Sequence, residues 1–407
     1  MTDTTENAAE ARRLSMPEFT AMLAMLFATI AFSIDAMLPA LPAIAAELTP
    51  DAINTAQLIL TAFVLGMGAG TLFAGPISDA IGRKPTIAIG FAIYIAAAIA
   101  AHYAGSIEVL LIARVVQGLG AAGPRIVGLA MVRDLYEGRE MARVTSFVMM
   151  VFMLVPAVAP SIGAVIIGFA GWRGVFLAFV VFGLVALTWV TVRQPETLPP
   201  PRRRPLSARG IIGAAAEVLR NREVMIYTAA MTLGFGQMFG LLSSAQQLFD
   251  VTYDQGDNFP LWFALMAALA GTASFINARL VMRLGMRKLA TDAYLAQAVF
   301  SALMLAVFAS GVLTGWPAFA AFFLWATSVF FMAGLTFGNL NALALQKMGH
   351  IAGMAASIVS AISTVLAVAI AAPLGLLFNG TPLPVVSGVA LCSTLAWLLM
   401  RPTRKFD

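Results

Sequence analysis

The chain has 407 residues, of which 60% are hydrophobic and only 11% are charged, and its formal net charge is +5. Ordinary soluble domains carry about a quarter charged residues, so this composition excludes a soluble globular protein and indicates a membrane protein. The single cysteine, Cys392, excludes a disulfide within the chain, and the two distant histidines, His102 and His350, give no metal-ligand pattern.

Apolar windows of about 20 residues, separated by polar breaks, predict twelve membrane-spanning helices. In chain order they cover residues 17–43, 53–75, 86–103, 106–132, 142–168, 172–193, 223–248, 258–282, 289–312, 316–340, 350–375 and 381–400. The first of these runs is too long, and too polar at its end, for a cleaved signal peptide. A transmembrane barrel would instead show alternating segments of about ten residues. We therefore predict an all-α membrane protein.

The basic residues fall on one side of this arrangement. If the N-terminus is cytoplasmic, that side collects the central linker and Arg12, Arg13, Arg83, Lys84, Arg133, Arg139, Arg143, Arg283, Arg287, Lys288, Lys347, Arg401, Arg404 and Lys405. The other side collects only Arg173. Because short cytoplasmic loops carry an excess of lysine and arginine, we predict that both termini are cytoplasmic. The positive charge is then a topology signal, and it does not indicate a nucleic-acid partner.

Asp35 is the acidic residue that we place well inside a span, in the stretch AFSIDAMLPA at 31–40. An ionised Asp at the centre of a membrane helix costs roughly 2.5 to 3.5 kcal/mol. Burial favours the protonated form of a carboxyl group and a nearby arginine favours the ionised form, so a site with both can load and release a proton. We predict that Asp35 binds and releases a proton. The alternative is a structural Asp that is permanently paired with an arginine.

The loop after the second span reads GPISDAIGRKP, residues 75–85. It closely resembles the loop signature of the major facilitator superfamily. The resemblance implies twelve transmembrane helices in two pseudo-symmetric six-helix bundles, the major facilitator fold. It also implies a charge network that latches the cytoplasmic side, with Arg133 joining the loop residues Asp79 and Arg83. The expected gate residues are Gly75, Asp79, Gly82, Arg83, Lys84 and Arg133. A short basic loop that contains Gly and Asp by chance is the alternative.

The fourth span, residues 110–134, places Arg114 and Arg125 inside the membrane. An arginine there must face water, a carboxylate or carbonyl oxygens. The stretch RVVQGLGAA resembles the superfamily's span-four motif, whose arginine is associated with proton translocation, so Arg114 takes that role by position. Snorkelling toward the interface is the alternative for Arg114. For Arg125 the alternative is snorkelling, or bonding to carbonyls, near the inner leaflet.

The fifth span contains VPAVAPSIGAVI, residues 155–166. Pro156 and Pro160 are four residues apart and so share a face, and Gly163 adds a smooth contact surface. The stretch resembles the antiporter motif that separates drug/proton exchangers from facilitators and symporters, although Ala159 replaces a glycine of that motif. An ordinary kinked membrane helix is the alternative.

The longest polar break, RQPETLPPPRRRPLSARG at 193–210, divides the chain into two halves. Its prolines favour extended structure, and its arginines suit the anionic inner leaflet. AIGRK at 80–84 echoes RLGMRK at 283–288, which supports an internal repeat. Duplicated bundles place their substrate site between the halves, near the membrane midplane. We therefore predict a cytoplasmic tail at 1–16, bundles at 17–193 and 223–400, a cytoplasmic linker at 194–222 and a second tail at 401–407.

Three further stretches resemble the bicyclomycin and chloramphenicol resistance branch of drug/proton antiporters: IDAMLPALPAI at 34–44, RDLY at 133–136 and AGMAASIVSAI at 352–362. This resemblance implies a protein of the bacterial inner membrane that exports small amphipathic drugs or metabolites by proton antiport. Because Asp35 and two arginines leave the interior net positive, neutral, zwitterionic or anionic cargo such as phenicols suits it.

Methionines and aromatic rings adapt to varied cargo, and buried amides need polar partners. The candidate cavity residues are Tyr94, Arg125, Met149, Met150, Phe152, Gln237, Gln246, Asn339 and Asn341. The alternative is that these side chains face lipid or packed neighbours, and that the amides only join helices.

The competing function is a proton-coupled importer of a small polar metabolite, which the fold alone does not separate from an exporter. A channel or a receptor would not need two halves and a titratable acid. The sequence offers no nucleophile set, phosphate loop or metal cluster for an enzyme. We expect no cofactor, because the proton gradient drives transport, and a monomer whose partners are cargo, protons and the lipid bilayer.

Overall fold

A computed structural model describes residues 14–406 of the chain. The predicted tail at 1–16 is therefore seen only from Leu14, so Arg12 and Arg13 lie outside the described residues, as does Asp407 at the other end. For residues 404–406 the structure describes the backbone and not the side chains. Within the described range the chain is helical and contains no β-strand.

The first half begins with α1 (Met16–Asp35), a 3₁₀ turn (Leu38–Ala40) and α2 (Leu41–Leu48), which together make one crossing. The next helices are α3 (Leu58–Ile81), α4 (Arg83–His102) and α5 (Ile107–Leu135). A helical segment of 56 residues, Gly138–Arg193, completes this half.

The segment Gly138–Arg193 makes two crossings, because its backbone breaks at Gly171, where φ is 64° and ψ is −177°. A straight helix of that length would measure about 84 Å, whereas the hydrocarbon core of a bilayer is about 30 Å thick. The positive φ favours glycine, since a Cβ would strain this conformation. We call residues 138–170 α6 and residues 172–193 α7.

The linker contains a helix that the sequence did not predict, α8 (Ala208–Arg220). Its apolar residues recur at helical spacing, and Ala214 and Val218 are buried against the second half. Only the proline-rich residues before it are extended or 3₁₀.

The second half consists of six long helices. They are α9 (Arg222–Gln247), α10 (Phe259–Leu284), α11 (Met286–Ser310), α12 (Gly315–Leu345), α13 (Ala352–Leu376) and α14 (Leu383–Met400). The described residues thus cross the membrane twelve times, six in each half, which confirms the predicted all-α architecture.

The two halves meet mainly through two helix pairs, α3 with α13 and α6 with α10. These pairs are the second span on the eleventh and the fifth on the eighth, so a shift of six spans converts one pair into the other. Gly68 allows the first contact, because a Cβ there would lie 3.0 to 3.1 Å from Val365 and Thr364. This exchange is what two related halves around a pseudo-two-fold axis produce.

The turns that echo each other in the sequence also share a backbone conformation. Gly82, between α3 and α4, has φ 110° and ψ 160°, and Gly285, between α10 and α11, has φ 77° and ψ 156°. Both lie in the region that favours glycine.

The basic loops collect at one end of the bundle, which we call the basic end: it contains Gly82, the linker and Gly285. We call the other end, where α2 ends and α9 ends, the opposite end.

Candidate functional site

Arg114 lies at the centre of the first half and is fully buried. Its guanidinium donates from Nε to the carbonyl of Ile59 at 3.3 Å, from Nη1 to Gln117 Oε1 at 2.6 Å, and from Nη2 to the carbonyl of Ser33 at 2.9 Å. It also lies 4.4 Å from the ring centre of Phe63. The arginine therefore ties α5 to α1 and α3 through carbonyl oxygens, and it does not snorkel to the surface.

Tyr94 supports this centre from α4. Its hydroxyl is 2.5 Å from Ser33 Oγ, and Ser33 donates in turn to the carbonyl of Thr29 at 2.6 Å. Tyr94 is fully buried within the first half, so in this structure it does not line an open space between the halves. The sequence reading missed Gln117, whose Nε2 is buried without a partner among the described residues.

Asp35 is the last residue of α1 and is only 5% exposed. Its carboxyl group makes no hydrogen bond and no ion pair with any residue that the structure describes. The bond from Arg114 goes to the backbone of Ser33, two residues earlier, and not to Asp35. A permanent Asp35–arginine pair, the alternative left open by the sequence, is therefore not present. The carboxyl group is free to bind a proton or a ligand.

The span-five motif packs directly beside Asp35. A Cβ on Gly163 would lie 2.2 Å from the carbonyl oxygen of Ala36, so glycine is the residue that allows α6 to approach α1 there. Pro160 is buried and Pro156 is half-buried on the same helix. The motif thus fixes the contact between α6 and the residue that follows Asp35.

The other predicted cavity residues of the first half divide by exposure. Met150 is 51% exposed, and Met149 and Phe152 are half-buried, with the ring of Phe152 edge-on to Phe27 at 6.1 Å. Arg125 is half-buried and makes no hydrogen bond or ion pair with a described residue.

Two of the predicted amides of the second half join helices within that half. Gln237 is fully buried and accepts from Ser393 Oγ of α14 at 2.7 Å. Asn339 donates to Asn277 Oδ1 of α10 at 2.7 Å. The structure therefore gives both of them the helix-joining contacts that the sequence left as the alternative.

The other two predicted amides do not show such helix-joining contacts. Gln246 is 5% exposed, and its Oε1 has no partner among the described residues. Asn341 is half-buried near the basic end of α12.

At the basic end, Arg83 is the centre of a charge network. It donates from Nη1 to Asp79 Oδ1 and to Ser78 Oγ, the latter at 2.6 Å, and from Nε to Asp134 Oδ2 at 2.9 Å. The expectation that Arg133 joins this network is wrong. Arg133 is exposed and lies beside Gly353 of α13, because adjacent residues point about 100° apart around a helix.

The linker docks on the same loop. Glu196 accepts the backbone N–H groups of Arg83 at 2.9 Å and Lys84 at 3.1 Å, which are the first residues of α4. The backbone of Arg204 donates to the carbonyl of Asp79 at 2.9 Å. A carboxylate at a helix N-terminus accepts hydrogen bonds from backbone N–H groups that have no partner within the helix, and it interacts favourably with the helix dipole.

At the opposite end, uncharged side chains join the two halves. Gln57 donates to Gln247 Oε1, and Ser244 Oγ donates to Gln57 Oε1 at 3.1 Å. Asn54 donates to the carbonyl of Phe378 at 2.8 Å. We call Asn54, Gln57, Ser244 and Gln247 the amide cluster. No local pattern predicts it, since Gln57 and Gln247 are 190 residues apart along the chain.

Between residues 14 and 406, the structure contains no group of three metal-ligating side chains. A pocket of about 580 Å³ at the opposite end, lined by Tyr253, Phe319 and Gly380 among others, belongs to the second half alone. It contains none of the predicted site residues.

Comparison with known proteins matches residues 21–372 to the family model described as the Major Facilitator Superfamily. The chain is 31% identical over 337 residues to a bicyclomycin resistance protein homolog of Haemophilus influenzae, covering 81% of this chain and 82% of that protein. It is 32% identical over 252 residues to a chloramphenicol resistance protein of Pseudomonas aeruginosa, covering 61% and 58%.

Among solved structures, the crystal structure of a D-xylose–proton symporter shares the fold. The TM-score is 0.74 at 15% identity, with 94% of this chain and 97% of that chain covered.

The family match covers more than half of the chain, and the relative from Haemophilus influenzae covers four-fifths of it. Proteins of this family are transporters and not enzymes. The chain is a multi-pass membrane transporter that belongs to the major facilitator superfamily.

Proposed function

We propose that this transporter exports small amphipathic molecules in exchange for protons, by exposing a site between its halves to one side of the membrane at a time. The observation that carries the proposal is Asp35, a buried carboxyl group with no bonded partner among the described residues. A titratable group inside a span that is not held in an ion pair is suited to bind and release a proton.

The position of Asp35 links its charge to helix packing. The carboxyl group ends α1, and the next residue, Ala36, forms the tight contact with Gly163 of α6. Gain or loss of a charge at this point changes the cost of burying the end of α1. A proton can shift the balance between two conformations only by binding them with different affinity, and a site at such a joint provides that difference.

Arg114 is the fixed positive charge of the proposed mechanism. It bonds the carbonyl of Ser33, two residues before Asp35, and is itself held by Ile59 and Gln117. We propose that it contributes to proton coupling by holding the segment of α1 that carries Asp35, without bonding to Asp35 itself.

The names of the relatives support export as the direction, since two of them are named for resistance to bicyclomycin and to chloramphenicol. We further propose that the protein acts as a monomer without a cofactor. Its location would be a bacterial inner membrane, with the basic end and both termini in the cytoplasm, because the basic loops lie at that end.

The test uses purified protein in liposomes that contain a pH-sensitive dye, with an imposed inward proton gradient. Phenicol, fluoroquinolone or cationic-dye substrates are loaded inside these liposomes, which carry the wild type, Asp35→Asn or Asp51→Asn. Asp51 is exposed at the opposite end, so its variant is a matched control. We expect a cargo to dissipate the gradient with the wild type and the control, and not with Asp35→Asn.

If Asp35→Asn behaves like the wild type, Asp35 is structural and the proposed coupling is wrong. Vesicles preloaded with labelled cargo report the direction. Exit of the cargo as protons enter supports export, whereas movement of cargo and protons in the same direction supports the importer instead.

A further inference from the structure

Arg125 and Arg114 lie on the same face of α5, eleven residues and about 16 Å apart along the helix axis. Arg114 donates three hydrogen bonds and is fully buried. Arg125 is half-buried, and no described residue forms a hydrogen bond or an ion pair with it. Since lipid cannot satisfy a guanidinium, Arg125 must face water or an anion.

The first half offers Arg125 no acidic group at its depth. Gly128, one turn further along α5, packs against Leu23, Leu26 and Phe27 of α1. Asp35 lies near the level of Arg114, because Arg114 bonds the backbone of Ser33, and it is therefore about three helical turns from Arg125.

The remaining acid on the later part of α5, Asp134, is already engaged. It accepts from Arg83 Nε and from Thr197 Oγ1, each at 2.9 Å, at the basic end. It is not available to a cation two and a half turns earlier on the helix.

The second half offers none either. Its acids are Glu223, Asp250, Asp254, Asp257 and Asp292. Lys347 and Arg287 bind Glu223 at the basic end, and the next three lie between α9 and α10 at the opposite end. Asp292 belongs to α11, which packs on α12 and α14. Helices α12 and α13 carry no charged residue.

Helix α5 approaches the second half at the level of Arg125. Its neighbour Ile126 is 3.9 Å from the position of a Cβ on Gly75, and Ser357 Oγ of α13 is 3.6 Å from that same position. Side chains of a helix tilt toward its N-terminus, and α5 begins at the opposite end. The Cα–Cβ bond of Arg125 is therefore tilted away from the basic end.

We propose that Arg125 binds an acidic group of the cargo, so that the preferred substrates are small amphipathic organic acids, including zwitterions with a free carboxylate. The assignment rests on the proposed function in that it names the cargo of the same transport site. A guanidinium binds a carboxylate through two parallel hydrogen bonds, which a neutral or cationic molecule cannot provide. The acidic group of the cargo and the proton site at Asp35 would then be separate along the bundle.

The test is equilibrium binding to purified protein in detergent without any proton gradient. The probes are pairs that share a body and differ in one acid: chloramphenicol hemisuccinate with chloramphenicol, and nalidixic acid with its ethyl ester. The proteins are the wild type, Arg125→Gln, Arg125→Lys and the control Arg139→Gln, which removes an exposed arginine of the basic loop. Thermal unfolding of each variant checks that it is folded.

We expect the wild type and Arg139→Gln to bind at least one acid more tightly than its neutral partner. Arg125→Gln should weaken the binding of that acid by about ten- to a hundredfold, which is the range of one charge-assisted pair. The affinity for the neutral partner should stay unchanged. Arg125→Lys keeps the charge but lacks the planar guanidinium, so its affinity for the acid should lie between those of the wild type and Arg125→Gln. The proposal is overturned if Arg125→Gln weakens the binding of the acid and of the neutral probe equally, or if it weakens neither. It is also overturned if neither acid shows saturable binding to the wild type.

This result is independent of the proton experiment. Binding of an acid that depends on Arg125, together with no proton flux, would keep the cargo assignment and reject the exchange mechanism. Proton exchange in the wild type, together with acid binding that Arg125→Gln leaves unchanged, would do the reverse.

Discussion

The two ends of this transporter are held together by different kinds of contact. At the opposite end, Gln57 and Asn54 of the first half bond directly to the second half, and all of these groups are uncharged. At the basic end, the ion pairs of Arg83 stay within the first half, and those of Glu223 with Lys347 and Arg287 stay within the second.

The difference shows that the charged side chains and the contacts that close the opposite end have separate roles in this structure. The ion pairs fix the shape of each half, whereas the neutral cluster joins one half to the other. Where the halves approach at the basic end, Ser357 Oγ lies 3.6 Å from the position of a Cβ on Gly75, and Arg133 Nη1 lies 3.9 Å from the position of a Cβ on Gly353. The structure therefore represents a state in which the opposite end is closed.

Arg83→Ala should have the largest effect on stability. It removes the cation that Asp79 and Asp134 share and leaves the two carboxylates facing each other. Arg83 is largely buried, but the Asp79 side chain is 48% exposed, so loss of the cation and of its bond to Ser78 costs about 2 to 3 kcal/mol. Denaturant unfolding in detergent measures it, with Arg139→Ala as the control. A stability equal to that of the control would mean that the network does not hold the first half in shape.

Gln57→Ala should have a smaller effect on stability and a larger one on conformation. It leaves Gln247 and Ser244 without their partner across the halves, which costs about 2 kcal/mol and shifts the population about thirtyfold toward a state open at that end.

Spin labels on Asp51→Cys and Asp257→Cys, in a Cys392→Ser background, report the distance across that end. Asn379→Ala is the control, since Asn379 bonds only Thr381 in its own loop. If Gln57→Ala gives the same distance distribution as the wild type, the amide cluster does not hold the opposite end closed.

Glu196→Gln should have the smallest effect, about 1 kcal/mol, because it weakens one charge-assisted cap on α4. Hydrogen exchange at the amides of Arg83 and Lys84 should become faster, while that at Thr86 inside the helix should not. Glu140→Gln, an exposed acid of the same end, is the control. Unchanged exchange at both amides would mean that the linker rests on the loop without holding it.

Local patterns were enough to predict the twelve crossings and the contact surface at Gly163. Each depends on residues that are adjacent in the chain or share one helix face. The buried position of Arg114 also followed, because a charge in the middle of a span has few solutions.

Contacts between distant parts of the chain could not be predicted in this way. The choice of Arg133 instead of Asp134 shows that a helix register, uncertain by one residue, rotates the expected partner out of reach. Glu196 and Gln247 carry no local signal, because their partners come from segments more than 100 residues away. Gln237 and Asn339 look like cavity amides until their partners on neighbouring helices are known.

The amide cluster has a consequence for the conditions under which the transporter works. Interactions between ions weaken as salt is added, whereas hydrogen bonds between uncharged amides and hydroxyls are not screened. These groups also do not titrate between acid and mildly alkaline conditions. Closure of the opposite end should therefore be indifferent to the ionic strength and acidity of the solution that bathes it. Under the proposed function, cargo and a proton bound inside the bundle would open it.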